Sequence, residues 1–102
     1  MINPQMLKQI KKMQEDIKRV QGEINASTFY GQAGGSVVKV AVKGTKKIES
    51  LEIKKEEVDF EDMDMLQDLI VAAINDAFNK VDKEFEETLG SITQGMNIPG
   101  MF

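Results

Sequence analysis

The reading starts from Pro4-Gln5-Met6-Leu7-Lys8-Gln9-Ile10-Lys11-Lys12-Met13-Gln14-Glu15-Asp16-Ile17-Lys18-Arg19-Val20-Gln21-Gly22-Glu23-Ile24. Met6, Ile10, Met13, Ile17, Val20 and Ile24 recur at alternating steps of four and three, which lines them up as one seam on an α-helix. Lys8, Lys11, Lys12, Lys18 and Arg19 fall on the opposite side, with Glu15 among them. Asn3 is a suitable N-cap, and Pro4 stands at the first helical position, where a missing N–H costs nothing. The helix is expected to end near Asn25 to Ser27, weakened in its last turns by Gly22.

Downstream the period changes from helix to strand. Thr28-Phe29-Tyr30 forms a short candidate strand closed by Gly31, and Gly34-Gly35 a turn. Val37 to Lys43 alternates, with Val38, Val40 and Val42 on one face and Lys39 and Lys43 on the other. Gly44-Thr45 predicts a tight hairpin into a third strand, Lys46 to Lys54. In that strand Ile48 has one parity while Leu51 and Ile53 have the other, so a bulge is expected near Glu49-Ser50. An acidic connector follows, Lys54 to Asp64, with Asp64 and Gln67 resembling a capping box. A second long helix is expected from about Met65 to Ser91. Leu66, Leu69, Ile70, Ala73, Ile74, Ala77, Phe78, Val81, Phe85, Leu89 and Ile92 make its apolar stripe.

The expected fold is therefore α+β, a small three-stranded antiparallel sheet between two long helices. Residues 1–94 form one domain and residues 95–102 a tail rich in Gly, Pro and Met. The helices should run about 35 and 40 Å, whereas strands of this size reach only about 20 Å. Roughly half of each helix must then overhang the sheet. Met6, Ile10 and Met13 on one overhang are expected to meet Phe85, Leu89 and Ile92 on the other, as a projecting arm. A sheet this small also has exposed edges, which a second copy would cover, so a two-fold homodimer with two arms is expected.

Composition narrows the chemistry. The 102 residues hold neither Cys nor His, which removes disulfides, thiolate nucleophiles, the usual general base and the commonest metal ligand. Neither a cofactor, a metal nor a small-molecule substrate is expected, and an enzyme is not. The N-terminal residues lack an unbroken apolar run, and no stretch is long enough to span a bilayer, so a cytoplasmic protein without a membrane role is expected. The carboxylates at Glu56, Glu57, Asp59, Glu61, Asp62 and Asp64 lack the glycine and the ligand alternation of a calcium loop, and helix-cap and dipole duty accounts for them. Gly31 to Ser36 lacks the Gly-Lys-Ser/Thr of a phosphate-binding loop. Asn75 is expected to make a fixed polar contact at the helix–sheet or subunit boundary.

The net charge is −4, yet its distribution is lopsided. Residues 1–55 hold 11 Lys/Arg against 5 Asp/Glu, and residues 56–102 hold 2 against 12. The candidate nucleic-acid contacts are Lys8, Lys11, Lys12, Lys18 and Arg19 on the first helix, with Lys43, Lys46 and Lys47 around the hairpin. With a single arginine there is little means of reading guanine bidentately, whereas lysines position a protein on the backbone. Binding with weak or no sequence preference is the expectation.

Three stretches resemble a known family. Gly34-Gly35-Ser36-Val37-Val38-Lys39-Val40 is similar to the Gly-Gly-x-Val-x-Val strand entry of the YbaB/EbfC nucleoid-associated DNA-binding proteins. Leu66-Gln67-Asp68-Leu69-Ile70-Val71-Ala72-Ala73-Ile74-Asn75-Asp76-Ala77 resembles their Leu-x-Asp-Leu-x-x-Ala-Ala-x-Asn-Asp-Ala segment, and Gly95-Met96-Asn97-Ile98-Pro99-Gly100 their Gly-Leu-x-Leu-Pro-Gly ending. The resemblance implies a tweezer-like homodimer that binds duplex DNA, alters its conformation, and contributes to nucleoid organisation and gene regulation. This chain departs from the family at the hairpin, where Lys43-Gly44 replaces the usual Asn-Gly. The family carries no catalytic or base-reading motif, so the DNA-facing residues rest on the charge argument. The competing expectation is a protein–protein adaptor or holdase-like protein whose helical arms grip a partner, a role the acidic total would suit.

Overall fold

The computed structural model describes residues 3–94. Helix α1 spans Pro4–Ala26, strands β1, β2 and β3 span Thr28–Ala33, Val38–Lys43 and Ile48–Ile53, a 3₁₀ turn covers Lys55–Glu57, and helix α2 spans Met63–Gln94. The sheet is antiparallel in the order β1-β2-β3. The α+β architecture expected from the sequence is the one observed. The 95–102 tail, including its Gly-Met-Asn-Ile-Pro-Gly segment, lies outside the described residues.

Local rules set most boundaries. Asn3 caps α1, its side-chain oxygen accepting from the Met6 N–H at 2.7 Å, with Pro4 at the first position. The bulge is real: Ala41 faces Ser50 and Val42 faces Ile48, so Glu49 is the extra residue. Inserting it turns Ile48 onto the same face as Leu51 and Ile53, which resolves their clash of parity. Gly34 and Gly35 adopt φ of 66° and 64° in the β1–β2 turn, where a side chain would be strained.

Four expectations need correction. β1 does not stop at Gly31 but continues to Ala33, because Gly31 serves a tertiary purpose. A Cβ there would collide with the Ala73 carbonyl oxygen and lie 2.6 Å from the Ala77 nitrogen, so its absence lets α2 lie close on β1. The α2 cap is Asp62 rather than Asp64: its carboxylate accepts from the Met65 N–H at 3.1 Å, and the helix starts at Met63. Lys46 does not begin β3. It sits at φ 64°, the left-handed position that follows a type I turn in a three-residue hairpin, with Lys46 N–H donating to the Lys43 carbonyl and Lys43 N–H to that of Lys47, both at 2.8 Å. Of the two places expected for Asn75, the helix–sheet contact is made by its neighbour Asp76, and Asn75 itself is exposed.

The core is one thin layer. Val38, Val40 and Val42 on β2 pack with Ala73, Ala77, Val81 and Leu66 of α2 and with Val20 and Ile24 of α1. Burying these nine side chains is the main favourable term, at roughly 25 cal/mol for each Å² of apolar surface. Both helices overhang the sheet, as their lengths require, and the molecule measures 67 × 24 × 16 Å. The arm's register differs from expectation. Val20, Glu23 and Ile24 lie beside Glu84 and Thr88, so the antiparallel helices bring Gln94 level with about residue 14 of α1. The first turns of α1 run beyond the described end of α2, leaving Met6 exposed rather than facing Phe85, Leu89 or Ile92, whereas Ile10 and Met13 are half-buried.

The two edges of the sheet are treated differently. Along β1 the outward Gln32 N–H donates to the Asp76 carboxylate at 3.1 Å, and the Lys80 ammonium donates to the Tyr30 carbonyl at 2.7 Å. Asp76 and Lys80 pair with each other at 3.5 Å, so α2 closes that edge with its own charges. β3 has no such cover. Leu51 and Ile48 stand opposite Val40 and Val42, hence on the helix-facing side of the sheet, yet both are exposed because α2 packs on β1 and β2.

Candidate nucleic-acid interface

The structure divides the predicted cations into two groups. Lys8, Lys11, Lys12 and Lys18 project from α1 into solvent, and among the described residues none of them forms an ion pair. Their spacing is set by the helix: the seam that holds Val20 and Ile24 in the core turns the opposite side outward. Arg19 shares that side but is engaged, with Asp16 at 3.2 Å and Glu23 at 3.8 Å along the same helix.

The hairpin lysines behave otherwise. Lys43 donates to the Ala26 carbonyl at 3.3 Å and lies 4.0 Å from Glu49, tying β2 to the end of α1. Lys46 pairs with Asp82 of α2 at 2.8 Å and stands 6.0 Å above the Phe78 ring. Gly44 beside them is buried against α1, where a Cβ would collide with the Ile24 carbonyl. Lys47 is exposed and, among the described residues, unpaired. Lys8, Lys11 and Lys12 are remote from the hairpin, Lys8 standing 18 residues of helix or about 27 Å before Ala26, whereas Lys18 is only 8 residues or about 12 Å from that end.

A third basic spot escaped the sequence reading. The outer face of the sheet carries the exposed Tyr30, paired with Ala41, beside Lys39, and Lys80 joins them around a shallow depression. Alternation already placed Lys39 outward. Bringing Tyr30 beside it needed the strand register, and Lys80 needed the helix–sheet contact. Among the described residues no cluster of three or more carboxylates is placed to hold a metal ion. None of the described helices is long and apolar enough to cross a membrane.

An exposed helix side whose four lysines form no ion pair among the described residues suits a polyanion, and the sequence comparisons agree with the geometry. Residues 2–96 match the model of the YbaB/EbfC DNA-binding family. The chain belongs to that family. It is 50% identical to a nucleoid-associated protein of Oceanobacillus iheyensis, over 95% of this chain and 93% of the relative. It is 44% identical to one of Alkaliphilus metalliredigens, over 95% and 85% respectively. The crystal structure of an uncharacterized protein from Helicobacter pylori shares the fold, with a TM-score of 0.64 over 94% of this chain and 98% of the other at 20% identity. The YbaB/EbfC family is a DNA-binding one, not an enzyme class, which fits a surface of exposed lysines.

Proposed function

We propose that the protein is a nucleoid-associated homodimer that grips the sugar–phosphate backbone of duplex DNA with its α1 arms, with little regard to sequence. Lys8, Lys11, Lys12 and Lys18 make the principal contacts, and Lys47 an accessory one. By holding backbone segments the dimer alters the path of the duplex, contributing to nucleoid organisation and, through it, to gene regulation. One observation carries the reading: the arm lysines have no partner within the described molecule, whereas Arg19, Lys43 and Lys46 do. Lysines neutralise phosphate as point charges and do not discriminate bases, so specificity is low.

The dimer is supported by the unequal sheet edges. With β1 closed by Asp76 and Lys80, the open β3 edge and the exposed Ile48 and Leu51 are where a second copy adds its strand. Two arms then act on one duplex.

The test is a salt series on two unrelated duplexes of equal length, with the free protein sized in parallel. If about six phosphates are neutralised per dimer, log affinity falls against log salt with a slope near −5 for both duplexes. A flat salt response would favour the helical-arm adaptor, and a monomer at micromolar concentration would remove the two-armed grip.

A further inference from the structure

At the end of the molecule opposite the arm tip, the connector and the first turn of α2 form a surface with no part in the DNA reading. Val37, Val58, Met65, Leu66 and Leu69 line an apolar hollow of about 230 Å³, with Glu57, Asp59 and Asp62 at its rim. Phe60, Met63 and Met65 are exposed beside it. Residues 56–68 carry seven carboxylates and no cation. Asp59 and Asp62 are committed to the Glu61 and Met65 N–H groups, but Glu57 and Glu61 make no side-chain hydrogen bond or ion pair among the described residues.

The hollow is smaller than the roughly 300–1,000 Å³ of ordinary small-molecule sites and suits one or two inserted side chains. A surface both apolar and this acidic repels DNA and selects a cationic, amphipathic helix. The molecule itself carries one. At the tip of α1 the exposed Met6 and Leu7 and the half-buried Ile10 form an apolar strip, and Lys11 flanks it one turn beyond Leu7. Tip and hollow lie beyond opposite ends of α2, which is 32 residues and therefore about 48 Å long, so one chain cannot join its own two ends.

We propose that the tip of α1 docks into the acidic hollow of a second copy, linking molecules head to tail. The apolar strip enters beside Met65, and Lys11 meets Glu57 at the rim, with Glu61 next in the chain to the rim residue Asp62. Flexible methionines on both sides allow the fit to adjust. Such a contact does not close on itself and builds open chains. Lys11 gives up its phosphate contact when docked, but Lys8 and Lys12 point away from the strip and remain free for phosphate, so the chains form on DNA as well as off it. This contact is separate from the β3 pairing and does not depend on DNA binding.

The experiment is a sedimentation-velocity concentration series of the full chain without DNA, at about 50 mM and about 0.5 M salt, because screening shortens the reach of charge from about 14 to about 4 Å. The expected result is a basal species at high salt and concentration-dependent growth beyond it at low salt. Lys11→Glu alone and Glu57→Lys with Glu61→Lys each weaken the growth about tenfold, and combining all three in one chain restores it. Met65→Gln weakens it without altering charge. A misfolded variant cannot produce the restoration, which separates docking from structural damage. Growth absent at low salt, or equal in every variant, overturns the proposal. The basal size at high salt independently reports the dimer, and duplex binding by the Glu57→Lys, Glu61→Lys chain reports the DNA reading.

Discussion

Lys12 on the arm and Lys46 at the base are the same residue type in the same basic half of the chain, yet they meet opposite surroundings. Lys12 points into solvent with no ion pair among the described residues. Lys46 reaches Asp82 at 2.8 Å, lies over Phe78 and occupies a left-handed turn position that lysine rarely takes. The difference shows that a count of positive charges overstates a binding surface. A cation is available to phosphate only where the fold has not already supplied its counter-charge. Substitutions should accordingly separate into two kinds, those that change affinity at constant stability and those that change stability at nearly constant affinity.

The largest effect is expected on the arm. Replacing Lys8, Lys11 and Lys12 with glutamine removes six charges from a dimer, which lowers affinity for any duplex about a hundredfold or more near 0.1 M salt and leaves a residual salt slope of about −1 to −2 from Lys18 and Lys47. Thermal unfolding should move by no more than about 0.5 kcal/mol, since these side chains touch nothing in the core. Equal affinity before and after the change would remove the arm from the interface.

Next comes the base. Gly44→Ala drives a Cβ into the Ile24 carbonyl, and the hairpin or the end of α1 must shift. A loss of about 1–3 kcal/mol in denaturant unfolding is expected, as for other overpacked buried sites. Intrinsic affinity per folded molecule should change far less than for the arm variant. A Gly44→Ala chain of native stability would mean that α1 is not clamped where the structure has it.

Lys46 sharpens the comparison at smaller scale. Lys46→Ala loses the Asp82 pair and the Phe78 contact while keeping a strained φ, and should cost about 1 kcal/mol. Lys46→Gly loses the same contacts but relieves the strain, which is worth about 1 kcal/mol, so it should be close to neutral. If both variants fell equally in chemical denaturation, the left-handed geometry would carry no energetic weight.

Much of this was legible in the sequence, for reasons that differ by element. The α1 seam, its Asn3 cap and the bulge at Glu49 could be read because each is a local pattern of period or parity. Gly31 was misread as a strand end because its purpose, close approach to Ala73 and Ala77, involves residues more than 40 positions away. The same distance hid the pairing of Asp76 with the β1 edge, so the helix–sheet option for Asn75 falls to its neighbour. The lysine set was legible as a list and not as a site. What separates Lys12 from Lys46 is Asp82, 36 residues downstream, and nothing in the periodicity of either helix announces that pair.

Arg19 gives the finest test, because it belongs to the arm by position and to the base by behaviour. It faces the same side as Lys12 and Lys18 but holds Asp16 and Glu23 along its own helix. Exposed pairs of this kind contribute only about 0.3–0.5 kcal/mol each, so phosphate can compete for the guanidinium at little cost to the helix. Neutralising both partners, Asp16→Asn with Glu23→Gln, should release Arg19 and raise duplex affinity several-fold, with the salt slope steeper by about 1 or 2 per dimer. Part of any gain comes simply from removing negative charge near DNA, and Glu15→Gln measures that part, since Glu15 stands on the basic side without an ion pair among the described residues. A gain no larger per charge removed than that of Glu15→Gln would show that Arg19 was never withheld. The rule that internal pairing decides which cations reach phosphate would then hold only for partners on another element, such as the Asp82 that holds Lys46.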